Sequence, residues 1–128
     1  MDASAGQRAY RDLQQHIDEL KKRDLLYEID EPVNKDTEMS ALVRWQFRGG
    51  LREEDRKAFL FNNPIDSKGR DYDIPVVIGA LAANQDIYAT GMDTKVDDIA
   101  AKWAAAIADP VPPRLVNEAP CHLSLIHI

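Results

Sequence analysis

The chain has 128 residues, of which 45% are hydrophobic and 30% charged, and its net charge is −6. This length and composition suit one globular domain with a single core, and the acidic balance excludes the clustered basic surface needed to bind nucleic acid. No apolar run approaches the ~20 residues of a membrane span, and the single cysteine cannot form an internal disulfide, which indicates a reducing, cytoplasmic location.

A helix is predicted within residues 9–24, because apolar residues recur three and four positions apart. Its stripe consists of Tyr10, Leu13, Ile17 and Leu20. Residues 25–29 then alternate as in a strand with one buried face, and Pro32 ends or bends that strand.

A second helix is predicted within residues 36–50, with Asp36 or Thr37 as its cap and Gly49 and Gly50 as its stop. Its apolar stripe is Met39, Leu42, Val43 and Phe47. Residues 58–63 resemble a short apolar strand, and residues 64–73 resemble a polar turn in which Gly69 is available for a positive φ.

The third part of the chain predicts a strand, a short helix and a long helix. Residues 74–82 are β-branched and apolar, as in a fully buried strand, and residues 84–91 favour a short helix capped by Asn84. The clearest helix lies within residues 93–109, with Asp93 or Thr94 as its cap. Its predicted apolar face is Val96, Ile99, Ala100, Trp103 and Ile107.

The order of these elements predicts an α/β (α+β) fold, a small mixed sheet flanked by helices. Three prolines at residues 110–113 follow the last helix and favour a stiff extended segment. The last apolar residues, near the end of the chain, predict an exposed apolar patch and a tendency to self-associate.

The histidines and the cysteine offer little chemistry. His16 lies among polar residues on the first helix, so an exposed position is expected for it. Neither His122 nor His127 has the helical spacing of a metal-binding pair, and no second cysteine accompanies Cys121. A nucleophilic role for Cys121 needs a positioned base, but the adjacent His122 points to the other side of an extended segment.

Three other features allow a functional and a structural interpretation. Gly79 joins a strand to a helix, where backbone N–H groups can bind phosphate, but a lone glycine more simply permits close packing. Lys68 and Arg70 can meet an anion or form a solvated hairpin tip. Trp45 and Trp103 are expected to be core or interface anchors. No nucleophile, base and orienting group come together, so the residues alone indicate a mixed α/β domain without a catalytic set.

Four segments in their order resemble the N-terminal region of UbiD-family decarboxylases. They are residues 13–43, the "AFLFNN" strand at 58–63, "YDIPVVIGALAANQDIYATGM" at 72–92 and "PVPPRLVNEAPC" at 110–121. Arg23 and Asp24 stand where the family often has a glycine, and aspartate tolerates that backbone. The region from the second helix to residue 59 is longer than in many members, which leaves the substrate open.

The resemblance implies a carboxy-lyase that non-oxidatively decarboxylates, or reversibly carboxylates, an aromatic or α,β-unsaturated acid. Full-length members use prenylated FMN with a divalent metal (Mn or Mg) and potassium, and homo-oligomers are usual among them. Their catalytic and ligand residues lie in a later split barrel. The resemblance therefore transfers no catalytic, cofactor-binding or metal-binding residue to this sequence, and no cofactor is expected on the chain by itself.

The resemblance also predicts how the chain is divided. Residues 1–109 form the N-terminal α/β domain, 110–121 lead toward a cofactor-binding barrel that the chain does not reach, and 122–128, which do not match the family, form a non-native tail. The alternative is a stand-alone interaction or regulatory α/β domain without catalysis, whose helix stripes form a partner surface.

Overall fold

The computed structural model describes residues 10–113 and 115–117. Its helices are α1 (Leu13–Lys22), α2 (Met39–Arg48), α3 (Gln85–Gly91) and α4 (Ile99–Ala108), and its strands are β1 (Leu26–Ile29), β2 (Val33–Asn34), β3 (Ala58–Phe61), β4 (Pro64–Ile65) and β5 (Val76–Ile78). Two 3-10 turns, Glu53–Asp55 and Val96–Asp98, precede β3 and α4. Four helices around small mixed sheets confirm the predicted fold class.

The main sheet has three strands in the order β1-β3-β5. Strand β1 runs parallel to β3, with Leu26 opposite Ala58, whereas β3 and β5 are antiparallel, with Phe61 opposite Val76. Strands β2 and β4 form a separate parallel pair of two residues each. The sequence did not predict this pair, because strands of two residues are too short to show an alternating pattern.

One face of the main sheet packs against α1 and α3. The buried members of this core are Ile17, Leu20, Leu26, Ala58, Ala80, Ala83 and Ile87. Leu20 and Ile87 are completely buried, and burial of each such side chain stabilises the fold by about 1.5–3 kcal/mol.

The other face of the sheet packs against α2. Its buried residues are Val33, Met39, Phe59 and Phe61, with Ile29, Val43, Val76 and Ile78 partly buried around them. Alternate residues of β3 therefore serve opposite cores, as the two-residue period of a strand requires. The prediction that the strand at residues 74–82 is fully buried was wrong, since all three residues of β5 are only partly buried at a sheet edge.

Helix α1 follows the sequence pattern in its capping. The Asp12 carboxylate accepts a hydrogen bond from the Gln15 N–H at 2.9 Å, and Lys21 and Lys22 occupy the last turn, where the helix dipole favours cations. Asp24 has φ +57°, so aspartate does adopt the left-handed backbone that the family resemblance places there.

Helix α2 begins later than predicted. It starts at Met39, and the side chain that binds the free N–H groups ahead of it belongs to Asn34, which accepts hydrogen bonds from Asp36 and Thr37. The prediction of Asp36 or Thr37 as the cap was therefore wrong. The turn at Asn34 is stabilised by the Glu38 carboxylate, which accepts from the Asn34 N–H at 2.8 Å.

Two members of the predicted α2 stripe are exposed. Leu42 and Phe47 are 39% and 41% exposed, and the buried position on the last turn is taken by Gln46. The Gln46 side chain donates to the Lys57 carbonyl and accepts from the Lys57 N–H, both at 2.9 Å. A polar residue is stable in this position because it completes the backbone hydrogen bonds at the start of β3.

Helix α4 differs most from its prediction. None of its residues is buried, so its predicted apolar face covers no core among the described residues. Its first turn carries no side-chain cap, so the predicted caps Asp93 and Thr94 were wrong. Its attachment is polar: Trp103 donates to the Tyr88 hydroxyl at 2.8 Å, and the Lys102 ammonium donates to the Asp93 carbonyl at 3.1 Å. Ile107, Val111, Leu115 and Val116 are exposed, and the apolar residues at the end of the chain, for which an exposed patch is predicted, lie outside the described residues.

Candidate functional site

His16 is buried, and its predicted exposure was wrong. It is 1% exposed, because it lies one turn before Leu20 on the face of α1 that packs on the sheet. Its Nε2 lies 2.7 Å from the Ala80 carbonyl, and because a carbonyl only accepts, Nε2 carries the proton. The ring also stacks on Tyr10, with centroids 4.6 Å apart. His16 thus joins α1 to the loop that follows β5.

The cleft beside His16 contains polar groups but no catalytic arrangement. Its volume is about 150 Å³, and its lining is Tyr10, Gln15, His16, Glu19, Lys22, Arg23, Thr90 and Asp93. Two of these groups are already paired, since Arg23 donates to Glu19 at 2.7 Å, and that hydrogen bond lowers the pKa of the Glu19 carboxyl. The lining contains no cysteine or serine, and its one hydroxyl of the serine–threonine type, that of Thr90, already donates to the Asp86 carbonyl at 2.7 Å.

The carboxyl ends of parallel strands β1 and β3 bring amides and carboxylates together. This is the edge at which ligands commonly bind in α/β sheets. Here the Asn62 amide donates to the Asp30 carboxylate at 2.7 Å, and the Asn63 amide donates to the Asp30 carbonyl at 2.5 Å. Glu28 bonds to Lys21, and that bond lowers the pKa of the Glu28 carboxyl. The polar groups of this edge satisfy one another, so they stabilise the strand ends.

Asp66 is the most strongly perturbed carboxylate of the described residues. It is 4% exposed and accepts four hydrogen bonds, from the N–H groups of Lys68 and Arg70 at 2.9 Å, from Arg70 Nε at 2.7 Å and from the Tyr72 hydroxyl at 3.0 Å. The backbone hydrogen bond from Arg70, followed by its guanidinium and the Tyr72 hydroxyl, holds the pKa of Asp66 far below its usual range. Sequence reasoning missed Asp66, because it considered only the charges at the tip of this turn.

Residues 66–70 form a turn as predicted within residues 64–73, with Gly69 at φ +76°, but Pro64 and Ile65 belong to strand β4. The exposed Arg70 bonds to Asp66 through its Nε at 2.7 Å, and the anion-binding alternative considered for Lys68 and Arg70 stays open. The turn is therefore a self-contained element built around one buried carboxylate.

Gly79 supports close packing and not phosphate binding. Its φ is +79°, and a Cβ atom there would lie 3.2 Å from the Ala83 Cβ and 3.6 Å from the Ala58 Cα. The helix that follows is capped by Asn84, as predicted, whose side chain accepts from the Ile87 N–H at 2.7 Å. At the start of α3, the N–H groups of Gln85 and Ile87 are already bonded to the side chains of Glu53 and Asn84, so neither is available to a phosphate.

The exposed side chain of Trp45 on α2 lies between two apolar hollows, one beside β1 and the other beside β2. It is 74% exposed, so its predicted place in the core was wrong and the interface alternative stays open. One hollow has a volume of about 550 Å³ and is lined by Tyr27, Glu28, Ile29, Leu42, Trp45, Gln46, Gly49, Gly50, Leu51 and Phe59. The other has about 540 Å³ and is lined by Pro32, Val33, Thr37, Glu38, Ala41, Leu42 and Trp45. Such a surface suits recognition of an apolar partner and not acid–base chemistry.

Residues 10–113 and 115–117 contain no group of three or more His, Cys, Asp or Glu side chains placed to hold a metal ion. In the same part of the chain, no helix is both long and apolar enough to cross a membrane. Cys121, His122 and His127 lie outside the described residues.

Comparison with known families gives one match. Residues 17–107 match the model of the 3-octaprenyl-4-hydroxybenzoate carboxy-lyase N-terminal domain. The matched region begins inside α1 and ends inside α4, so it contains both hydrophobic cores and the turn at Asp66. No curated protein matches the chain.

Proposed function

The chain belongs to the UbiD N-terminal domain family, and we propose that it serves as the N-terminal domain of a carboxy-lyase. The reaction proposed for the enzyme is non-oxidative decarboxylation, or the reverse carboxylation, of an aromatic or α,β-unsaturated acid. The observation that carries the proposal is the family match over residues 17–107.

UbiD enzymes generally use prenylated FMN, and we extend this cofactor to the enzyme that contains the domain, together with a divalent metal (Mn or Mg) and potassium. When bound, prenylated FMN supplies the electron sink that loss of CO₂ from the acid requires. In this domain, the N–H groups of Gln85 and Ile87 at the start of α3, which could have met the cofactor phosphate, are bonded to the side chains of Glu53 and Asn84. The domain's part in the enzyme is therefore structural.

The polar side chains of the domain support this structural role. His16, Gln46 and Asp66 each bind the protein's own backbone or its own side chains. A decarboxylase also needs an acid–base group in a closed site, but His16 and Gln46 each join two segments and Asp66 holds its own turn together. The proposed location is the cytoplasm, with a homo-oligomer as the proposed state of the enzyme.

A second candidate is a stand-alone interaction domain. It is favoured by the exposed Trp45 side chain between two apolar hollows. Such a surface suits the binding of a partner protein and not catalysis. This candidate predicts that the domain works without a barrel, whereas the carboxy-lyase proposal predicts that the domain supports catalysis when joined to one.

The first experiment uses the purified 128-residue chain. We expect it to release no CO₂ from a panel of aromatic and α,β-unsaturated acids in the presence of prenylated FMN, metal and potassium, because its polar groups are committed to the fold. Gel filtration with absorbance detection is expected to show no retained cofactor. Turnover or tight cofactor binding by this chain would contradict the structural role.

A further inference from the structure

The outer face of α2 carries an exposed stripe with charges at its two ends. The stripe consists of Glu38, Ala41, Leu42, Trp45 and Arg48, whose spacings of three and four residues place them on one side of the helix. All five are exposed, and Trp45 is 74% exposed at the centre of the stripe. An exposed tryptophan between two apolar hollows is the kind of side chain that anchors protein interfaces.

The charges of this stripe are of opposite sign and lie at about equal distances from its centre. Glu38 is just before the first turn of α2, and Arg48 is its last residue. Neither side chain takes part in an ion pair among the residues that the structure describes, although nine other pairs occur there. The stripe is therefore acidic at one end, apolar in the middle and basic at the other end.

We propose that a second copy of the chain covers this stripe, with the two α2 helices packed antiparallel about a two-fold axis between Leu42 and Trp45. A two-fold interface must be self-complementary, since each residue meets the symmetry-related counterpart of its own contact. In the antiparallel pair, Arg48 of each copy faces Glu38 of the other, and Trp45 of each copy enters an apolar hollow of the other. A parallel pair would instead bring like charges together.

The size of the surface sets the strength of the association. One largely exposed tryptophan and its partly exposed apolar neighbours amount to roughly 300–600 Å², the size of the largest apolar patch on a typical monomer. A standard interface buries about 800 Å² on each partner. The pair is therefore a weak dimer whose population depends on protein concentration. This inference does not depend on the carboxy-lyase proposal, because it uses only the surface of α2.

The proposal is tested by sedimentation velocity of the 128-residue chain from micromolar to millimolar concentration. We expect a monomer–dimer equilibrium that Trp45→Ala weakens by at least about thirtyfold, the minimum effect that defines an interface hot spot. Ile107→Ala is the control, because Ile107 is 72% exposed on α4 and so matches the exposure of Trp45 outside the proposed interface. It is expected to leave the equilibrium unchanged.

Charge exchange then tests the antiparallel geometry. The variants Glu38→Lys and Arg48→Glu each place like charges across the axis and are expected to be monomeric when studied separately. Mixed in equal amounts, they restore both opposite-charge contacts and are expected to form a heterodimer about as tight as the wild-type dimer.

Three results would overturn the proposal. They are a wild-type chain that stays monomeric throughout, a dimer that loses affinity with Ile107→Ala but not with Trp45→Ala, and charge variants that fail to associate when mixed. Thermal melting followed by circular dichroism confirms that each variant is folded before it is compared.

Discussion

At the residue scale, polar side chains inside the domain hold its elements together. His16, Gln46, Asp66 and Asn84 are all at least nine-tenths buried. His16, Gln46 and Asn84 bond to the backbone of another segment, and Asp66 bonds within its own turn. A buried polar group is stable only when it is paired, so these contacts fix which segments lie together.

Asp66 is expected to make the stability of the domain depend on acid pH. Its pKa is lowered from 3.8 in the folded chain, so the stability that it provides is present above that value and is lost as pH falls below it. Asp66→Asn should lower the melting temperature at neutral pH and flatten its decline below about pH 3.8. Melting curves from pH 7 to pH 2 provide the measurement, with the exposed Asp73→Asn as control. Equal acid sensitivity of Asp66→Asn and the wild type would show that the buried carboxylate has no such role.

Gln46 is expected to matter through both atoms of its amide. Gln46→Leu keeps the size of the side chain but leaves the Lys57 N–H and carbonyl without the partners they have at 2.9 Å. Loss of such buried bonds costs about 1–3 kcal/mol, to be measured by urea unfolding. Substitution of the exposed Ser40 by alanine on the same helix serves as control, and equal stabilities of the two variants would contradict the account of Gln46.

The residue-scale contacts were only partly predictable. Asn84 was identified as a cap because its partner, Ile87, is three residues away. His16 and Gln46 were not identified, because their partners, Ala80 and Lys57, are distant in sequence. A polar residue on a helix is expected to be exposed unless its long-range partner is known.

At the element scale, two glycines with the same backbone conformation are predicted to differ in their tolerance of a side chain. Gly69 and Gly79 have φ of +76° and +79°, but a Cβ at Gly69 meets nothing within 4 Å, whereas one at Gly79 lies 3.2 Å from the Ala83 Cβ. Gly69→Ala should cost about 1–2 kcal/mol for the left-handed backbone alone. Gly79→Ala should cost more, because Ala83, in the turn before α3, must also move away from the added Cβ. Equal unfolding free energies in urea would contradict the close packing at Gly79.

The helices show why amphipathic patterns predict some elements better than others. The pattern located the buried Ile17 and Leu20 on α1 correctly, since both meet the sheet. On α4 it predicted an apolar face, but no residue of the helix is buried, because an alanine-rich helix shows apolar spacing on several sides at once. On α2 it assigned Leu42 to the core, although the sheet contacts the neighbouring face of the helix.

At the scale of the whole molecule, the order of elements was more informative than any single residue. The resemblance to UbiD decarboxylases depended on four segments in their sequence order, and the family match over residues 17–107 confirms it. The division into residues 1–109, 110–121 and 122–128 stays a prediction, and residues 118–128 lie outside the described part of the chain. The proposed function rests on the family match, because the buried polar side chains of the domain bond to groups within the domain itself.

The most direct test of the central claim is a chimera in which residues 17–107 replace the matching N-terminal domain of an active UbiD carboxy-lyase. If the domain supports the enzyme without supplying chemistry, the chimera should fold, bind prenylated FMN and release CO₂ from the parent's substrate at a measurable fraction of the parent's rate. The control is the same enzyme with its N-terminal domain deleted. A folded, cofactor-loaded chimera that releases no more CO₂ than this deletion variant would contradict the claim.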